Sequence, residues 1–239
     1  MGRHERIAAL AAVDRPGLVV ADLGCGTGRT VRALLSGPVT PARVEALDRG
    51  SALDDDLLGD ARVVSRLADL DEPLPFEAAS LDRVVSVNVM EGVADAQAFL
   101  RECHRVLAPG GLAVIGHTDF DTALFTSDDD ALTRLLVDRF VADVPTWDAH
   151  TDGFMGRKLL RLAVESPFEV TDVQSWADPH RRFDEGSLAW KIAMGMVAAV
   201  RDDEDLAARA AQWLESVGRL AHEGRFLFTV TDVAVVLRR

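Results

Sequence analysis

Along the first half of the chain, short runs of apolar residues alternate with segments whose apolar residues recur at helical spacing. Between the runs, residues 30–35 and 94–107 carry helix formers with apolar residues on one stripe, and glycine and proline end each of these helices. Strands separated by helices predict a parallel sheet with right-handed crossovers and with helices on both faces. The predicted strands are residues 18–23, 43–48, 62–67, 81–89 and 112–115.

The second half has a less regular pattern. Residues 127–142 are predicted to form a helix with an acidic first turn, and residues 168–176 and 226–237 alternate as expected of antiparallel strands at the edge of the sheet. Between these strands, residues 203–222 predict an amphipathic helix and residues 187–200 predict a helix that is apolar nearly all round. Because such a helix must be covered, we expect it over the ligand crevice of the sheet, as a cap or pocket wall.

Composition narrows the class of protein. The 239 residues include 26 Lys and Arg against 39 Asp and Glu, which gives a formal net charge of −13. This balance disfavours a partner that is nucleic acid or an anionic membrane surface, because both require excess positive charge. No apolar run approaches the roughly 20 residues of a membrane helix. Cys25 and Cys103 are too few for a disulfide framework or a Cys-based zinc site, and we expect a cytoplasmic protein without a bound metal.

A glycine loop over residues 22–28, Asp22-Leu23-Gly24-Cys25-Gly26-Thr27-Gly28, directly follows the first predicted strand. Glycine at every second position permits a tight turn and a close approach of a ligand to the backbone. The loop differs from the dinucleotide fingerprint and lacks the lysine of a P-loop. A carboxylate at Asp22 would repel pyrophosphate and attract an ammonium group. The loop therefore predicts a ligand with a cationic group.

Two further acidic residues follow predicted strands. Asp48 ends the second strand, at the position where a carboxylate accepts hydrogen bonds from ribose hydroxyls. Asp69 follows the third strand and is placed to accept from the exocyclic amine of a base. The alternative to ligand binding is that each of these residues caps a helix or forms part of a turn. Together with the loop, they describe a nucleoside that carries an amino-acid-like cationic tail.

At these residues the chain resembles the class I S-adenosylmethionine-dependent methyltransferases, and in particular their small-molecule, ubiquinone-biosynthesis-like branch. The likeness covers about residues 18–117, in the family's order and spacing. A second match lies at Glu223-Gly224-Arg225-Phe226, which leads into the last strand. The motifs of the first stretch are the glycine loop, Asp48, Asp69 with Pro73-Leu74-Pro75-Phe76, Leu81-Asp82-Arg83-Val84-Val85-Ser86 and Arg105-Val106-Leu107-Ala108-Pro109-Gly110-Gly111.

The resemblance implies an α/β, Rossmann-like sheet of seven strands, mostly parallel with one reversed, with helices on both faces and a helical cap inserted before the last strand. It implies a single domain over residues 1–239. Residues 1–117 would form the cofactor-binding half, and residues 118–239 the acceptor-binding half with a helical insertion at about 179–224. S-adenosyl-L-methionine would be the methyl donor and S-adenosyl-L-homocysteine the product.

The resemblance also implies a set of cofactor-binding residues. The glycine loop would line the methionine part, Asp48 the ribose and Asp69 the adenine edge, with Asn88 and Val89 facing the methionine and the methyl group. Many relatives carry Glu-His where this chain has Glu91-Gly92, so any role of that His is missing here. The full set is Asp22, Gly24, Cys25, Gly26, Thr27, Gly28, Asp48, Arg49, Ala68, Asp69, Leu70, Asn88 and Val89.

The acceptor side is predicted from position alone, since ligands of open α/β sheets lie beyond the carboxyl ends of the strands. His117, after the fifth strand, is the candidate catalytic base because an imidazole titrates near neutrality. Its ordinary alternative is a hydrogen-bonded histidine at a strand end. The candidate substrate-binding residues are Glu91, Asp119, Trp147, His150, Met155 and Trp190.

We therefore predict a methyltransferase that acts on an O, N or C atom of a small-molecule, biosynthetic acceptor, as a monomer or homodimer. Two alternatives stay open at this point. One is methylation of a protein or an RNA, of which RNA is disfavoured by the negative charge. The other is a scaffold that binds the cofactor without transferring a methyl group. The pattern of residues does not identify the acceptor.

Overall fold

The computed structural model describes residues 1–50, 52–142 and 153–239. The strands are β1 (Val19–Leu23), β2 (Arg43–Asp48), β3 (Val63–Leu67), β4 (Leu81–Val87), β5 (Leu107–Phe125), β6 (Glu169–Trp176) and β7 (Phe228–Arg238). The helices are α1 (Arg3–Leu10), α2 (Arg29–Leu35), α3 (Asp55–Leu58), α4 (Ala96–Val106), α5 (Asp130–Ala142), α6 (Met155–Val164), α7 (Leu188–Ala198) and α8 (Glu204–His222). No helix in these ranges has both the length and the apolar character that crossing a membrane requires.

The strands form one seven-stranded sheet in the order β3-β2-β1-β4-β5-β7-β6. The four pairs from β3 to β5 are parallel, which confirms the α/β, Rossmann-like class. The order reverses between β1 and β4, and this switch point is where open α/β sheets bind ligands. The prediction that both late strands lie at the sheet edge is wrong for β7, which lies between β5 and β6.

The described residues group into two compact units. The first contains residues 1–117, 157–174 and 233–239, and the second contains residues 118–156 and 175–232. Two segments that follow residue 118 in the sequence thus group with the first unit. The division of the chain at residue 118 into a cofactor half and an acceptor half stays a prediction.

Helix α4 of the first unit forms where the apolar stripe predicts it. Phe99, Leu100, Cys103 and Val106 are buried on one face. The side chain of Asp95 accepts hydrogen bonds from the first-turn N–H groups of Gln97 and Ala98, which lack partners inside the helix. The glycine turn predicted after this helix lies inside β5 instead. There the register with β4 shifts, so the extra residues form an irregularity of one long strand.

Helix α1 was not predicted from the sequence. Ile7 is fully buried and packs against Gly116 of β5, where an added Cβ would lie 2.7 Å from the Ile7 Cδ1 atom. The buried guanidinium of Arg83 donates to the carbonyl oxygens of Ala11 and Ala12, which follow the helix. These bonds satisfy a buried cation and hold the end of α1 in place.

The second unit has its core between α5, α7 and α8. Helix α7 is covered by these neighbours, and Gly195 lies so close to Phe140 that an added Cβ would be 2.6 Å from the ring. The apolar surface of α7 is therefore explained by burial inside this unit, and its placement over the ligand crevice stays a prediction. Ser187 and Asp203 cap α7 and α8 at the predicted starts. Helix α6, in a stretch read as irregular, was missed.

Candidate cofactor and acceptor site

The glycine loop turns between β1 and α2 through three glycines in the left-handed region, Gly24, Gly26 and Gly28, with φ of 75°, 50° and 88°. At Gly24 an added Cβ would lie 2.2 Å from the Val89 Cγ2 atom, so this glycine permits the close approach of the segment after β4. At Gly26 an added Cβ would meet no atom within 4 Å. The loop backbone at Gly26 therefore faces open space, where a ligand can approach it.

The carboxylate of Asp48 holds this loop in place. Its Oδ2 atom accepts a hydrogen bond of 2.8 Å from the N–H of Gly26, and its Oδ1 atom accepts one of 3.1 Å from the N–H of Gly50. The N–H groups of Gly24 and Cys25 both donate to the carbonyl oxygen of Leu47. Each carboxylate oxygen has a second lone pair, so Asp48 retains acceptor capacity for ligand hydroxyls.

Asp22 is a buried carboxylate at the end of β1. Its side chain accepts a hydrogen bond from the N–H of Val31, one of the first-turn donors of α2 that have no partner inside the helix. Burial, and then the charge of Asp48, raise the pKa of Asp22 from 3.8 to about 7. The Oδ2 atom accepts no hydrogen bond from any residue that the structure describes.

A buried carboxylate oxygen without a partner is costly, and an ammonium group would satisfy it. The loop thus offers a carboxylate for a cation, open backbone at Gly26 and residual acceptors on Asp48. These features fit the amino-acid tail and ribose of S-adenosylmethionine. Phosphate is a poor fit, since Asp22 and Asp48 both place negative charge here.

The remaining predicted cofactor residues lie in the loop itself or directly after β2 and β3. Asp69 is half exposed and accepts a hydrogen bond from the N–H of Asp71, as a turn residue does, while Arg49 lies 3.6 Å from its Oδ1 atom. Ala68 donates its N–H to the carbonyl oxygen of Asp48. Thr27 is exposed, and Leu70 is half-buried. Contacts of these residues with an adenine ring stay predictions.

Cys25 contributes a small side chain to the loop. Burial, together with the charges of Asp22 and Asp48, raises the pKa of its thiol to about 12. A thiol with such a pKa is protonated at neutral pH and is a weak nucleophile. Burial likewise raises the pKa of the Cys103 thiol.

The segment after β4 lies beside the loop. The Ser86 hydroxyl donates to the carbonyl oxygen of Leu23, which ties the ends of β4 and β1 together. Asn88 has φ of 55°, a conformation that ends the strand two residues earlier than predicted, and its N–H donates to the carbonyl oxygen of Gly116. Val89 packs on Gly24, as described above. Asn88 and Val89 are thus brought to the glycine loop.

His117 and Glu91 form a pair at this edge of the sheet. The Nε2 atom of His117 lies 3.3 Å from the Oε2 atom of Glu91. The His117 side chain has no exposed surface, whereas the Glu91 side chain retains 18%. His117 was predicted as the catalytic base and Glu91 as a substrate-binding residue, and their pairing was not foreseen. Neither role is tested by the structure.

The other predicted acceptor residues belong to the second unit or lie outside the described ranges. Asp119 is buried. Gly156, the residue after Met155, lies so close to it that a Cβ added at Gly156 would be 2.8 Å from the Asp119 Cβ atom. The start of α6 therefore packs on Asp119 within this unit. Trp190 is half-buried in the first turn of α7. Trp147 and His150 fall in residues 143–152, which the structure does not describe.

Sequence reasoning missed several residues near the loop. Leu53 and Leu57 contact Gly28, where an added Cβ would lie 2.6 Å and 2.3 Å from their Cδ1 atoms. The Nδ1 atom of His4 lies 2.9 Å from the hydroxyl of Thr30, in the first turn of α2. The i, i+4 spacing of Leu53 with Leu57, and of Ile7 with Ala11, is a local signal for these short helices, but two positions are too few to establish a helical period.

A cavity of about 560 Å³ also lies in the first unit, lined by α1, α2 and residues 36–39. Its lining contains neither the loop glycines nor Asp22 or Asp48. Cavity size therefore does not identify the ligand site in this unit. The prediction of a ligand site at the loop rests on its polar groups instead.

Comparison with known proteins agrees with this geometry. Residues 21–115 match the methyltransferase domain family. A 37.1 kDa protein of transposon TN4556 from Streptomyces fradiae is 32% identical over 247 residues, which cover 98% of this chain and 66% of that protein. The ubiquinone biosynthesis O-methyltransferase of Methylocella silvestris is 35% identical over 128 residues, 47% of this chain and 46% of the enzyme. The chain thus spans about two thirds of the first relative and less than half of the second.

Among solved structures, a Bacillus halodurans C-125 protein described as a methyltransferase has the same fold. Its TM-score is 0.63 at 15% identity, and the likeness covers 99% of this chain and 98% of that protein. The family match spans the glycine loop, Asp48, Asp69 and the segment after β4, which follow the carboxyl ends of the parallel strands β1 to β4. Residues 21–115 thus form a methyltransferase domain, and this part of the chain carries the motifs of the class I S-adenosylmethionine-dependent methyltransferases.

Proposed function

We propose that this protein transfers a methyl group from S-adenosyl-L-methionine to an O, N or C atom of a small-molecule, biosynthetic acceptor. The observation that carries the proposal is the buried Asp22 carboxylate, whose Oδ2 atom accepts no hydrogen bond from the described residues and lies in a loop that is open at Gly26. An ammonium group there satisfies the carboxylate, and this requirement matches the methionine tail of the donor.

The roles of the chain's own residues follow from their positions. Asp22 binds the amino group of the donor and Asp48 accepts its ribose hydroxyls, while Asp69 accepts from the adenine amine. Asn88 and Val89 border the methionine part. When bound, S-adenosylmethionine supplies an activated methyl group on a sulfonium, and S-adenosyl-L-homocysteine remains after transfer. The protein's main contribution is to align the acceptor with that methyl group, which can be worth up to roughly 7–11 kcal/mol.

Support for a small acceptor comes from relatives that match 41–47% of the chain and are ubiquinone biosynthesis O-methyltransferases. The net charge of −13 disfavours RNA as the acceptor. We expect the protein to act in the cytoplasm, as a monomer or homodimer. Asp119, Met155, Trp190, Trp147 and His150 remain candidates for contact with the acceptor.

Two measurements on the whole protein test this function. Isothermal titration calorimetry should show that S-adenosylhomocysteine binds. Incubation with S-adenosylmethionine labelled at the methyl group and a bacterial small-molecule extract should give a labelled small product. Binding without any product would favour the scaffold alternative, and label found only in protein or RNA would favour a macromolecular acceptor. No binding would contradict the assignment of the loop.

A further inference from the structure

The pairing of Glu91 with His117 changes the roles that position alone assigns to them. We infer that Glu91 is the residue that accepts the acceptor's proton, that His117 is a positioning residue behind it, and that the acceptor is a small molecule whose reacting atom carries a proton. This inference rests on the proposed function and goes beyond it, because it names a catalytic residue and restricts the chemical class of acceptor.

Exposure decides which member of the pair can reach a substrate. The His117 side chain has no exposed surface, whereas the Glu91 side chain retains 18%, so an acceptor that enters from solvent meets Glu91 before His117. The contact of 3.3 Å joins Oε2 of Glu91 to Nε2 of His117, and this Oε2 atom is buried. The exposed surface of the Glu91 side chain therefore lies on atoms other than Oε2.

The backbone places this pair at the ligand end of the sheet. The N–H of Asn88 donates to the carbonyl oxygen of Gly116, so the residue before His117 is fixed to the segment that carries Glu91. The N–H of Gly92 donates to the carbonyl oxygen of Val89 and closes a turn around Glu91. Val89, in the same turn, packs on Gly24 of the cofactor loop. Glu91 thus lies two residues from a direct contact with the loop that would hold the methyl donor.

The chemistry of the pair suits a protic acceptor. An O–H or N–H group that is methylated must lose its proton, and a carboxylate beside an imidazole can take it. The new bond forms between the acceptor atom and the methyl carbon, the C–S bond breaks with its electron pair left on sulfur, and the proton moves to Glu91 and then to water. An aprotic acceptor such as a tertiary amine or a thioether needs no base.

The test compares Glu91→Gln and His117→Gln with the wild-type protein. Glutamine at position 91 keeps the shape of the side chain but accepts no proton, and Glu165→Gln makes the same change at an exposed residue of the first unit, outside the site. The acceptors are phenol, catechol, 4-nitrophenol, pentafluorophenol, benzylamine, trimethylamine and a bacterial small-molecule extract, each with methyl-labelled donor in mildly alkaline buffer.

We expect labelled products from protic acceptors. For these, Glu91→Gln should lower kcat by about 10²–10⁴-fold, the usual contribution of a general base, while the KM for the donor and the affinity for S-adenosylhomocysteine stay unchanged. The loss should shrink for acceptors that are already ionised in the buffer, such as the acidic phenols, because no proton has to be removed. A merely structural role for Glu91 would not produce this dependence on acceptor acidity.

His117→Gln should lower kcat less than Glu91→Gln does, and Glu165→Gln should leave it unchanged. The imidazole ¹⁵N signal of His117 should shift in Glu91→Gln and not in Glu165→Gln, which tests the contact even where His117→Gln fails to fold. An unshifted signal, equal kcat in Glu91→Gln and wild type, or label confined to quaternary ammonium or sulfonium products would overturn the inference while methyl transfer stands. Binding of S-adenosylhomocysteine without any labelled product would overturn the proposed function, and the inference with it.

Discussion

The carboxylate of Asp48 accepts a hydrogen bond of 2.8 Å from the backbone N–H of Gly26. This contact joins the end of β2 to the middle of the glycine loop that follows β1. A residue expected to bind the ribose therefore also holds the loop in the conformation that receives the ligand. Substitution of Asp48 should act on the cofactor site in both ways.

We predict that Asp48→Ala weakens the binding of S-adenosylhomocysteine by at least about tenfold, because the variant loses the loop contact and the acceptor for the ribose hydroxyls. Isothermal titration calorimetry on the folded protein measures the effect. Asp202→Ala, at an exposed carboxylate of the second unit, is the control. Equal affinity in Asp48→Ala and the control would contradict the role given to Asp48.

Gly24→Ala and Gly26→Ala should differ in what they damage. At Gly24 the new Cβ collides with Val89, so we expect a loss of about 1–3 kcal/mol in the free energy of unfolding. At Gly26 there is open space, and only the left-handed backbone opposes alanine, at a cost on the order of 1 kcal/mol. Gly26→Ala should nevertheless obstruct the approach of the ligand and weaken S-adenosylhomocysteine binding. Denaturant unfolding and calorimetry separate the two effects, and unimpaired binding in Gly26→Ala would argue against a ligand at that position.

Asp22→Asn should stabilise the protein in neutral and alkaline solution. The pKa of Asp22 is raised from 3.8 to about 7, so between these values the folded state binds a proton that the unfolded state releases. The contribution of Asp22 to stability is therefore fully present below pH 3.8 and is lost as the pH rises through 7. Relative to Asp22→Asn, the wild-type Tm should fall as the pH rises across this window. A Tm difference that is constant with pH would exclude the raised pKa.

The same titration should control ligand affinity in the opposite direction. An ammonium group binds the ionised form of Asp22, so the affinity for S-adenosylhomocysteine should rise with pH up to about 7 and then level off. Well below that pKa the change should approach about tenfold per pH unit. Asp22→Asn should bind more weakly, and its affinity should lack this rise. An equally steep rise in the variant would show that another group is responsible.

Arg83→Met should destabilise the first unit. The buried guanidinium donates to the carbonyl oxygens of Ala11 and Ala12, at 2.7 Å and 3.2 Å, and to that of Asp82 at 2.9 Å. Methionine fills similar space but leaves the carbonyl oxygens of Ala11, Ala12 and Asp82 without these donors, which should cost about 1–3 kcal/mol. Chemical denaturation measures the loss, and Arg101→Met, at a mostly exposed arginine, is the comparison. A loss no larger than that of Arg101→Met would show that Arg83 does not hold the end of α1.

Local sequence patterns were sufficient to predict many of the strands and helices. The alternation of apolar runs and helical stripes predicted β1, β2, β4 and α4, since side-chain periodicity reports which face of an element is buried. The starts of α7 and α8 were predicted at Ser187 and Asp203, and the side chains of these residues cap the two helices. Helices α1 and α6 were missed, since a single buried residue or a short stripe produces too weak a period.

The sequence by itself indicated the class of protein, because the glycine loop, Asp48 and Asp69 follow predicted strand ends in the order of the family that the chain resembles. Only the tertiary structure decided how those groups work together. It placed β7 between β5 and β6 and buried Asp22, whose carboxylate accepts a hydrogen bond from the N–H of Val31. It also showed that Asp48 accepts a hydrogen bond from the N–H of Gly26 and that Glu91 contacts His117. The physical reason is that these contacts join residues that are far apart in the chain or lie on different elements. Periodicity and spacing indicate which face of a helix or strand is buried, but not which other element packs against that face.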